Sequence, residues 1–317
     1  MKTIYCIGEL LIDFVAEKQG NDLSKADVFT KKAGGAPANV ACAISKLGGN
    51  SRFIGCVGRD PFGTFLLNIL EENKVDISLA QRSKHFTTLA FVSLAEDGER
   101  DFVFSRGADK KLTYDSGVKN GFNGNMVHFG AATALLGGNL EDAYNRYFFD
   151  ALTKESFISF DPNFRGDLWK GKEEIFVKKC RSFIEKSHLC KFSMEEVQLL
   201  SGEKDIEKAC ELMHDLGAQI ITVTLGGEGT LVSTPNLKTT VPSIHVKPVD
   251  TTGAGDAFIG CLLYQISTLS KPVVILEDSD QLLDMIKKAN VAGAVTTTNY
   301  GAIPSLPTLD EVENRLI

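Results

Sequence analysis

Short apolar segments alternate with amphipathic ones along the first part of the chain. Residues 3–17 (TIYCIGELLIDFVAE) read as a strand with a break near Gly8. Residues 34–48 then place apolar side chains at helical spacing behind a proline, 51–58 form a short apolar run typical of a buried strand, and 60–73 return to helical spacing. This alternation predicts a parallel sheet with helices on both faces.

Two segments, 14–32 and 86–106, break this rhythm. Both show the period-2 alternation of half-buried strands, and the second predicts a hairpin around Glu96–Glu99. Hairpins inserted into a strand–helix progression predict a small antiparallel sheet that stands apart from the main domain. We therefore predict a β-sheet lid, residues 14–32 and 86–106, on an α/β core made of residues 1–13, 33–85 and 107–317.

Strand–helix units resume after the second hairpin and continue to the end of the chain. The predicted fold class is therefore α/β, with a doubly wound, mostly parallel sheet flanked by helices. The later units lie at residues 126–133, 157–165, 188–202 and 218–232, and residues 289–302 read as a helix followed by a glycine loop.

Composition and charge narrow the class of protein. The chain has 317 residues and a formal net charge of −7, which argues against nucleic acid as a partner. Its seven cysteines are scattered without a CxxC pair, which is typical of reduced core thiols in the cytoplasm. No apolar stretch approaches the roughly 20 residues of a membrane helix. We expect a soluble, cytoplasmic protein that acts on a small molecule.

Candidate chemistry is concentrated at Gly253–Asp256 (GAGD), directly before the apolar run that begins at Ala257. A helix N-terminus offers unpaired N–H groups and partial positive charge, and glycines let an anion approach closely. Asp256 could simply cap this helix, but the preceding Thr251 and Thr252 already offer capping hydroxyls. An anion-binding loop beside a carboxylate suits transfer of a phosphoryl group to an alcohol, with the carboxylate accepting the proton.

The sequence does not match other common phosphate-binding and catalytic motifs. The first strand is not followed by G-x-G-x-x-G, which argues against a nicotinamide-dependent dehydrogenase. Residues 166–172 (GDLWKGK) approach a P-loop, but Glu173 stands where a hydroxyl must bind magnesium. No H-E-x-x-H or G-x-S-x-G occurs, and the five histidines are dispersed. Phosphoryl transfer at Gly253–Asp256 is therefore the best-supported chemistry.

Two motifs together resemble the paired signatures of the ribokinase-like (PfkB) carbohydrate kinases. These are GAPANVA, which follows Gly34, and DTTGAGDAF at 250–258. The resemblance extends over nearly the whole chain, through "DPNFR" at 161–165, "KFSMEE" at 191–196, "TLGGEG" at 224–229 and "YGAIPS" at 300–305. It implies a doubly wound α/β domain with a small β-sheet lid, and an ATP- and Mg²⁺-dependent sugar kinase.

The resemblance also implies roles for individual residues. Asp256 would be the general base, with the backbone of Gly253, Ala254 and Gly255 completing the anion hole. The sugar would be bound by Asp13 at the end of the first strand, by Gly34, Gly35 and Asn39, and by Arg106. Arg165 would reach either the sugar or the transferring phosphate. A surface ion pair between Arg165 and Asp161 or Asp167 is the structural alternative.

The nucleotide side is implied in the same way. Glu196 would order the magnesium–water shell near the phosphates, and Ser193 stands where the family usually carries asparagine. The predicted nucleotide contacts are Lys191, Ser193, Glu196, Thr224, Gly226, Gly229, Asn290 and Gly293. A monovalent cation such as K⁺ would be bound by carbonyls near Asp250, Thr252, Gly301 and Ser305.

Two stretches favour fructose as the sugar. The start GELLIDF and the phrase DPNFRGDLW are most similar to bacterial fructokinases. A kinase for 2-keto-3-deoxygluconate is the second choice, because Arg106 could bind its carboxylate, and a ribokinase is the third. A sensor that kept the fold and lost catalysis is the alternative of another class, although base and anion loop are both intact. Homodimerisation through the lid is a further possibility.

Overall fold

The computed structural model describes residues 1–17, 22–94 and 100–316. Its strands are β1 (Thr3–Ile7), β2 (Leu11–Ala16), β3 (Phe29–Gly34), β4 (Asn50–Ile54), β5 (Cys56–Gly58), β6 (Gln81–Ser83), β7 (Leu89–Leu94), β8 (Arg100–Ser105), β9 (Met126–Gly130), β10 (Phe157–Asp161), β11 (Leu189–Ser193), β12 (Ile220–Thr224), β13 (Thr230–Thr234) and β14 (Leu237–Val241).

The α-helices lie mostly between these strands and after the last of them. They are α1 (Ala36–Lys46), α2 (Pro61–Glu72), α3 (Gly138–Thr153), α4 (Gly166–Trp169), α5 (Glu173–Lys186), α6 (Met194–Ser201), α7 (Ile206–Leu216), α8 (Ala254–Ser267), α9 (Ser279–Thr296), α10 (Ala302–Ser305) and α11 (Leu309–Glu313).

Eight strands form a central sheet in the order β14-β13-β12-β11-β10-β9-β1-β4. The six strands from β12 to β4 are parallel, and β9 and β10 are buried along their whole length because helices cover both faces of the sheet. The apolar side chains form two clusters, one of which contains α1, α8 and α9 and the other α3, α5 and α7. The predicted doubly wound α/β class is confirmed.

The edge of this sheet differs from the prediction for residues 218–232. That segment is a pair of antiparallel strands, β12 and β13, rather than a strand followed by a helix. The adjacent β14 continues the antiparallel pairing. A short 3₁₀ turn of glycines, Gly226–Glu228, is too tight to lead into a crossover helix, so the chain turns back on itself.

A separate sheet of four strands has the order β3-β2-β7-β8. Its two outer pairs are antiparallel and its central pair, β2 with β7, is parallel. The turn predicted at Glu96–Glu99 lies outside the described residues. The break near Gly8 separates β1 from β2, so Asp13 lies within the small sheet rather than at the end of the first core strand. The core and lid boundaries stay a prediction.

Helices α1 and α8 pack closely against each other. A Cβ added at Gly260 would lie 2.6 Å from Ala43 Cβ, so the glycine permits this approach. The contact aligns the two helices, and both N-termini border one cleft.

The cysteines and the helix lengths agree with the composition. All seven cysteines are buried and free, as predicted. Among the described residues, every helix is too short or too polar to cross a bilayer.

Candidate active site

A cleft of about 1670 Å³ lies between the small sheet and the loops that follow the central strands. Val15, Val92, Phe102 and Phe104 line it from the small sheet. On the opposite side it is bordered by the N-termini of α1 and α8 and by the loops after β10 and β11. Ligands of parallel α/β sheets bind at such strand ends, and the predicted site falls there.

The residue at the N-cap of α8 is a glycine, which has no side chain to cap the helix. Gly253 occupies the cap position with φ +81°, and a Cβ there would lie 2.5 Å from Ala302 Cβ. The expectation that the Thr252 hydroxyl caps this helix is wrong, because Thr252 Oγ1 instead donates to Asp250 Oδ1 over 2.6 Å. Ala254 N–H donates to Thr251 O over 3.3 Å, so the remaining amides of the first turn are the better placed anion donors.

Asp256 lies in the first turn of α8 and borders the cleft with 8% of its surface exposed. Its Oδ2 accepts a hydrogen bond from Asn39 Nδ2 over 2.8 Å. Burial raises the pKa of Asp256 to about 6, although the Asn39 bond and the charge of Lys191 lower it in part. A carboxylate with this pKa is suited to accept a proton near neutral pH.

Several of the predicted sugar-binding residues meet at the N-terminus of α1. A Cβ added at Gly34 would overlap Asp13 Oδ2, and a Cβ at Gly35 would lie 2.5 Å from Glu9 O. Asn39 is buried, and its Oδ1 has no hydrogen-bond partner in the described part of the chain. The glycines therefore leave room for the Asp13 carboxylate and bring the backbone close to a bound molecule.

Glu9 borders the same cleft, and the sequence prediction missed it. Its side chain is 1% exposed, and it accepts long hydrogen bonds from Ala36 N (3.3 Å) and Thr133 Oγ1 (3.4 Å). Burial raises the pKa of Glu9 to about 7. The available signal was a carboxylate within an otherwise apolar run.

A buried ion pair forms the floor beside Asp256. Lys191 Nζ lies 3.0 Å from Asp161 Oδ2, and only 7% of Lys191 is exposed. Burial alone would lower the pKa of Lys191, but the carboxylates of Asp161, Glu196 and Asp256 raise it above its ordinary value. A Cβ added at Gly255 would lie 3.0 Å from Nζ. A permanent positive charge therefore adjoins the anion loop.

The loop after β11 is fixed by a capping box. Ser193 Oγ accepts from Glu196 N over 3.1 Å, and Glu196 Oε2 accepts from Ser193 N over 2.7 Å. Glu196 Oε1 also accepts from Phe164 N over 2.7 Å. Burial raises the pKa of Glu196, and both residues border the cleft.

The two predicted arginines differ in their placement. Arg165 is exposed and borders the cleft, and its alternative partner Asp161 is paired with Lys191 instead. Arg106 does not line the cleft in the described structure. Its Nε and Nη2 donate to Asp109 Oδ2 over 2.9 and 2.6 Å, and Nη2 also donates to the carbonyl of Thr133, which lines the cleft, over 3.3 Å.

The remaining predicted nucleotide contacts, Thr224, Gly226, Gly229, Asn290 and Gly293, lie outside the described cleft lining. Thr224, Gly226 and Gly229 form the turn between β12 and β13. Asn290 is buried on α9, where it accepts from Thr230 Oγ1 over 2.6 Å and donates to the carbonyls of Val241 and Pro242. A Cβ at Gly293 would meet Ala254 O at 3.1 Å, so this glycine lets α9 approach α8.

The four residues of the predicted cation site connect two loops. Asp250 Oδ1 accepts from Thr252 N, and Asp250 Oδ2 accepts from Gly301 N over 2.8 Å. Ser305 Oγ is buried and has no hydrogen-bond partner among the described residues. Within those residues, three or more His, Cys, Asp or Glu side chains nowhere converge to hold a metal ion. Ligation of a monovalent cation by carbonyls of these loops stays a prediction.

The chain matches known proteins over almost its whole length. Residues 1–309 match the family described as pfkB family carbohydrate kinase. Fructokinase-1 of Zea mays is 40% identical over 314 residues, which cover 98% of this chain and 96% of the relative.

The comparison with solved structures agrees with this family match. The crystal structure of fructokinase with bound ATP from Xylella fastidiosa has a TM-score of 0.86 at 30% identity, covering 98% of this chain and 97% of the other. A fructokinase double mutant from Vibrio cholerae O395, in a form with fructose, ADP and potassium ion bound, has a TM-score of 0.83 at 31% identity, with 100% and 99% covered. A match in sequence and in structure at this coverage decides the family, and the chain belongs to the pfkB carbohydrate kinases.

Proposed function

We propose that this protein is an ATP-dependent fructokinase that produces fructose 6-phosphate. Relatives at about 40% identity carry the name fructokinase. The Xylella structure holds ATP, and the Vibrio structure holds fructose, ADP and potassium ion. These similarities support fructose as acceptor, ATP as donor and K⁺ as an accessory ion.

The observation that carries the proposal is the position of Asp256 in the first turn of α8, directly after the glycine N-cap. A sugar hydroxyl bound beside Asp256 would lose its proton to this carboxylate as it attacks the γ-phosphoryl group of ATP in line. The amides of the first helical turn would stabilise the negative charge on the transferred group, and Lys191 would add a fixed positive charge. Closure of the small sheet would exclude water and limit ATP hydrolysis.

The metal ions would have few protein ligands in this arrangement. When bound, Mg²⁺ would neutralise negative charge on the ATP phosphates while it retained several of its waters. We expect Glu196 to order those waters, because backbone N–H groups hold both of its oxygens in fixed positions. For the monovalent ion, the unpartnered Ser305 hydroxyl and the loop held by Asp250 fit the expected carbonyl site.

The placement of Arg106 favours fructose over 2-keto-3-deoxygluconate. The guanidinium that could bind a sugar carboxylate is tied to Asp109, whose side chain is buried. A sensor without catalysis is disfavoured because the carboxylate, the glycines of the anion loop and the adjoining lysine are all in place.

A coupled assay of ADP release over a panel of sugars tests the proposal. We expect turnover with fructose, weaker turnover with ribose and 2-keto-3-deoxygluconate, and a roughly 10²- to 10⁴-fold lower kcat in Asp256→Asn. Binding of fructose without ADP release would support the sensor, and preference for another sugar would reassign the substrate. Near-normal turnover of Asp256→Asn would remove this residue from the mechanism.

We also propose a cytoplasmic location and a homodimer formed through the small sheet. Free, buried cysteines fit a reducing compartment. Val28 and Val103 are both more than half exposed on or beside the small sheet, which fits a contact there. Light scattering of the purified protein measures the dimer, and a monomeric mass at micromolar concentration would exclude it.

A further inference from the structure

Asn163 has a backbone conformation and a side chain that the proposed mechanism leaves unexplained. It is the third residue of the DPNFR loop after β10, with φ +47° in the left-handed region. The residue is 4% exposed and borders the cleft. Its Oδ1 is buried and has no hydrogen-bond partner among the described residues. A buried amide oxygen without a partner costs free energy, and its persistence points to a ligand.

The loop around Asn163 is held rigidly by two carboxylates. Asn163 N donates to Asp161 Oδ1 over 3.0 Å, and Phe164 N donates to Glu196 Oε1 over 2.7 Å. The other oxygen of Asp161 pairs with Lys191. The backbone at Asn163 is therefore held by the same carboxylates that surround Lys191, so the point from which its side chain projects is set before a ligand binds.

The backbone alone does not account for these observations. Asparagine tolerates the left-handed region better than most residues, so φ by itself could explain its presence. In the described chain, the other non-glycine residues with positive φ are Lys74 and Glu155, and both are exposed at the surface. Asn163 alone among these three is buried, borders the cleft and has an unpaired polar atom. Strained residues of this kind cluster at ligand sites.

We propose that the Asn163 side-chain amide binds a hydroxyl group of the acceptor sugar and so contributes to sugar affinity. An amide oxygen needs a hydrogen-bond donor, and the phosphate groups of a nucleotide offer none when ionised. A sugar hydroxyl both donates and accepts, so it satisfies the oxygen and would equally satisfy the NH₂ group of a turned amide. This inference rests on the proposed sugar kinase activity and adds a specific contact to it.

Glycine and alanine substitutions separate the side chain from the backbone. Asn163→Gly removes the amide and keeps the left-handed conformation free of strain, whereas Asn163→Ala removes the amide and adds strain. Glu155→Gly is the matched control, because Glu155 has φ +51° and is exposed. The readouts are the KM for fructose, the KM for ATP, and the rise in Tm that fructose causes without nucleotide.

We expect Asn163→Gly to raise the fructose KM about 5- to 50-fold, the range of an unmade buried hydrogen bond, with the ATP KM within about twofold of wild type. The fructose-induced rise in Tm should shrink in parallel. Asn163→Ala should show the same kinetic change and a lower Tm without ligand, and Glu155→Gly should leave both KM values unchanged.

Two results would overturn the proposal. One is a fructose KM within about twofold of wild type in both Asn163 variants, which would leave only a structural role. The other is a raised ATP KM with an unchanged fructose KM, which would assign the amide to the nucleotide. Wild-type protein in the same assay distinguishes failure of the fructokinase proposal from failure of the Asn163 proposal. If wild type does not turn over fructose, the fructokinase proposal fails. The Asn163 variants are then compared with the sugar of the panel that raises the wild-type Tm. Absence of any sugar effect on wild type would reject both.

Discussion

Replacing Asp256 with asparagine should make the protein more stable while it removes catalysis. Burial raises the pKa of Asp256 from 3.8 to about 6, so the folded state resists ionising this carboxyl. The folded state consequently binds more protons than the unfolded state between these values, and stability falls as pH rises through them. At neutral pH the ionised carboxylate is a fixed cost that asparagine would not carry.

The size of the gain follows from the same shift. A pKa that is higher by about 2 corresponds to about 3 kcal/mol, because each tenfold change in proton affinity is worth about 1.4 kcal/mol. For a chain of this length we expect Tm to rise by about 4 °C. Near pH 5 roughly half of the difference should disappear, since the wild-type carboxyl is then mostly protonated in the folded state.

Thermal unfolding at about pH 7.5 and pH 5, with kcat measured in parallel, provides the assay. Asp280→Asn is a matched control, because Asp280 also lies in the first turn of a helix, α9, but is exposed. That substitution should cost about 0.3–1 kcal/mol through the helix dipole and leave kcat unchanged. If Asp256→Asn is no more stable than wild type at the higher pH, or if its gain is the same at both, burial does not set the pKa of this carboxyl.

Three other predictions follow from the cleft. The kcat/KM for fructose should fall tenfold per pH unit below about pH 6, because Asp256 must be ionised. Asn39→Ala should move this acidic limb of the pH–rate profile to higher pH, since it removes a hydrogen bond that lowers the pKa of Asp256. An unmoved limb would contradict this. Gly34→Ala should raise the fructose KM about tenfold or more with little change in Tm, because the methyl group displaces the Asp13 carboxylate; an unchanged KM would show that Asp13 does not bind the sugar. Lys191→Met should cost about 3–5 kcal/mol in thermal unfolding, and less at about pH 5 than at pH 8 because the carboxylates left behind can then take up protons; a cost independent of pH would refute this.

The large sheet could be predicted from sequence because its signals are local. Apolar runs such as 126–130 and 157–161 predict buried strands, and each was found. The antiparallel edge formed by β12 and β13 was missed, although two β-branched runs around a glycine turn are a hairpin signal. The position of Asp13 was misjudged because β2 is defined by hydrogen bonds to strands far away in the chain.

The site divides in the same way between local pattern and tertiary structure. Gly253–Asp256 could be assigned to anion binding from residue types alone. Asn39 is 217 positions from Asp256, and only the family resemblance placed them in one site. The partner of Arg106 was not predictable, because Asp109 has the same charge as many other nearby candidates. The side-chain oxygen of Asn163, which has no partner among the described residues, could be recognised only from the folded structure.

Gly260 lies one helical turn after Asp256 and does not line the cleft, yet the close approach of α1 and α8 depends on its missing side chain. A methyl group there would push the two helices apart and so lengthen the distance between Asn39 and Asp256. Natural variation at this position should therefore be as restricted as at the reacting residues themselves. A survey of tolerated substitutions would find an inert-looking interior position that behaves as part of the catalytic unit.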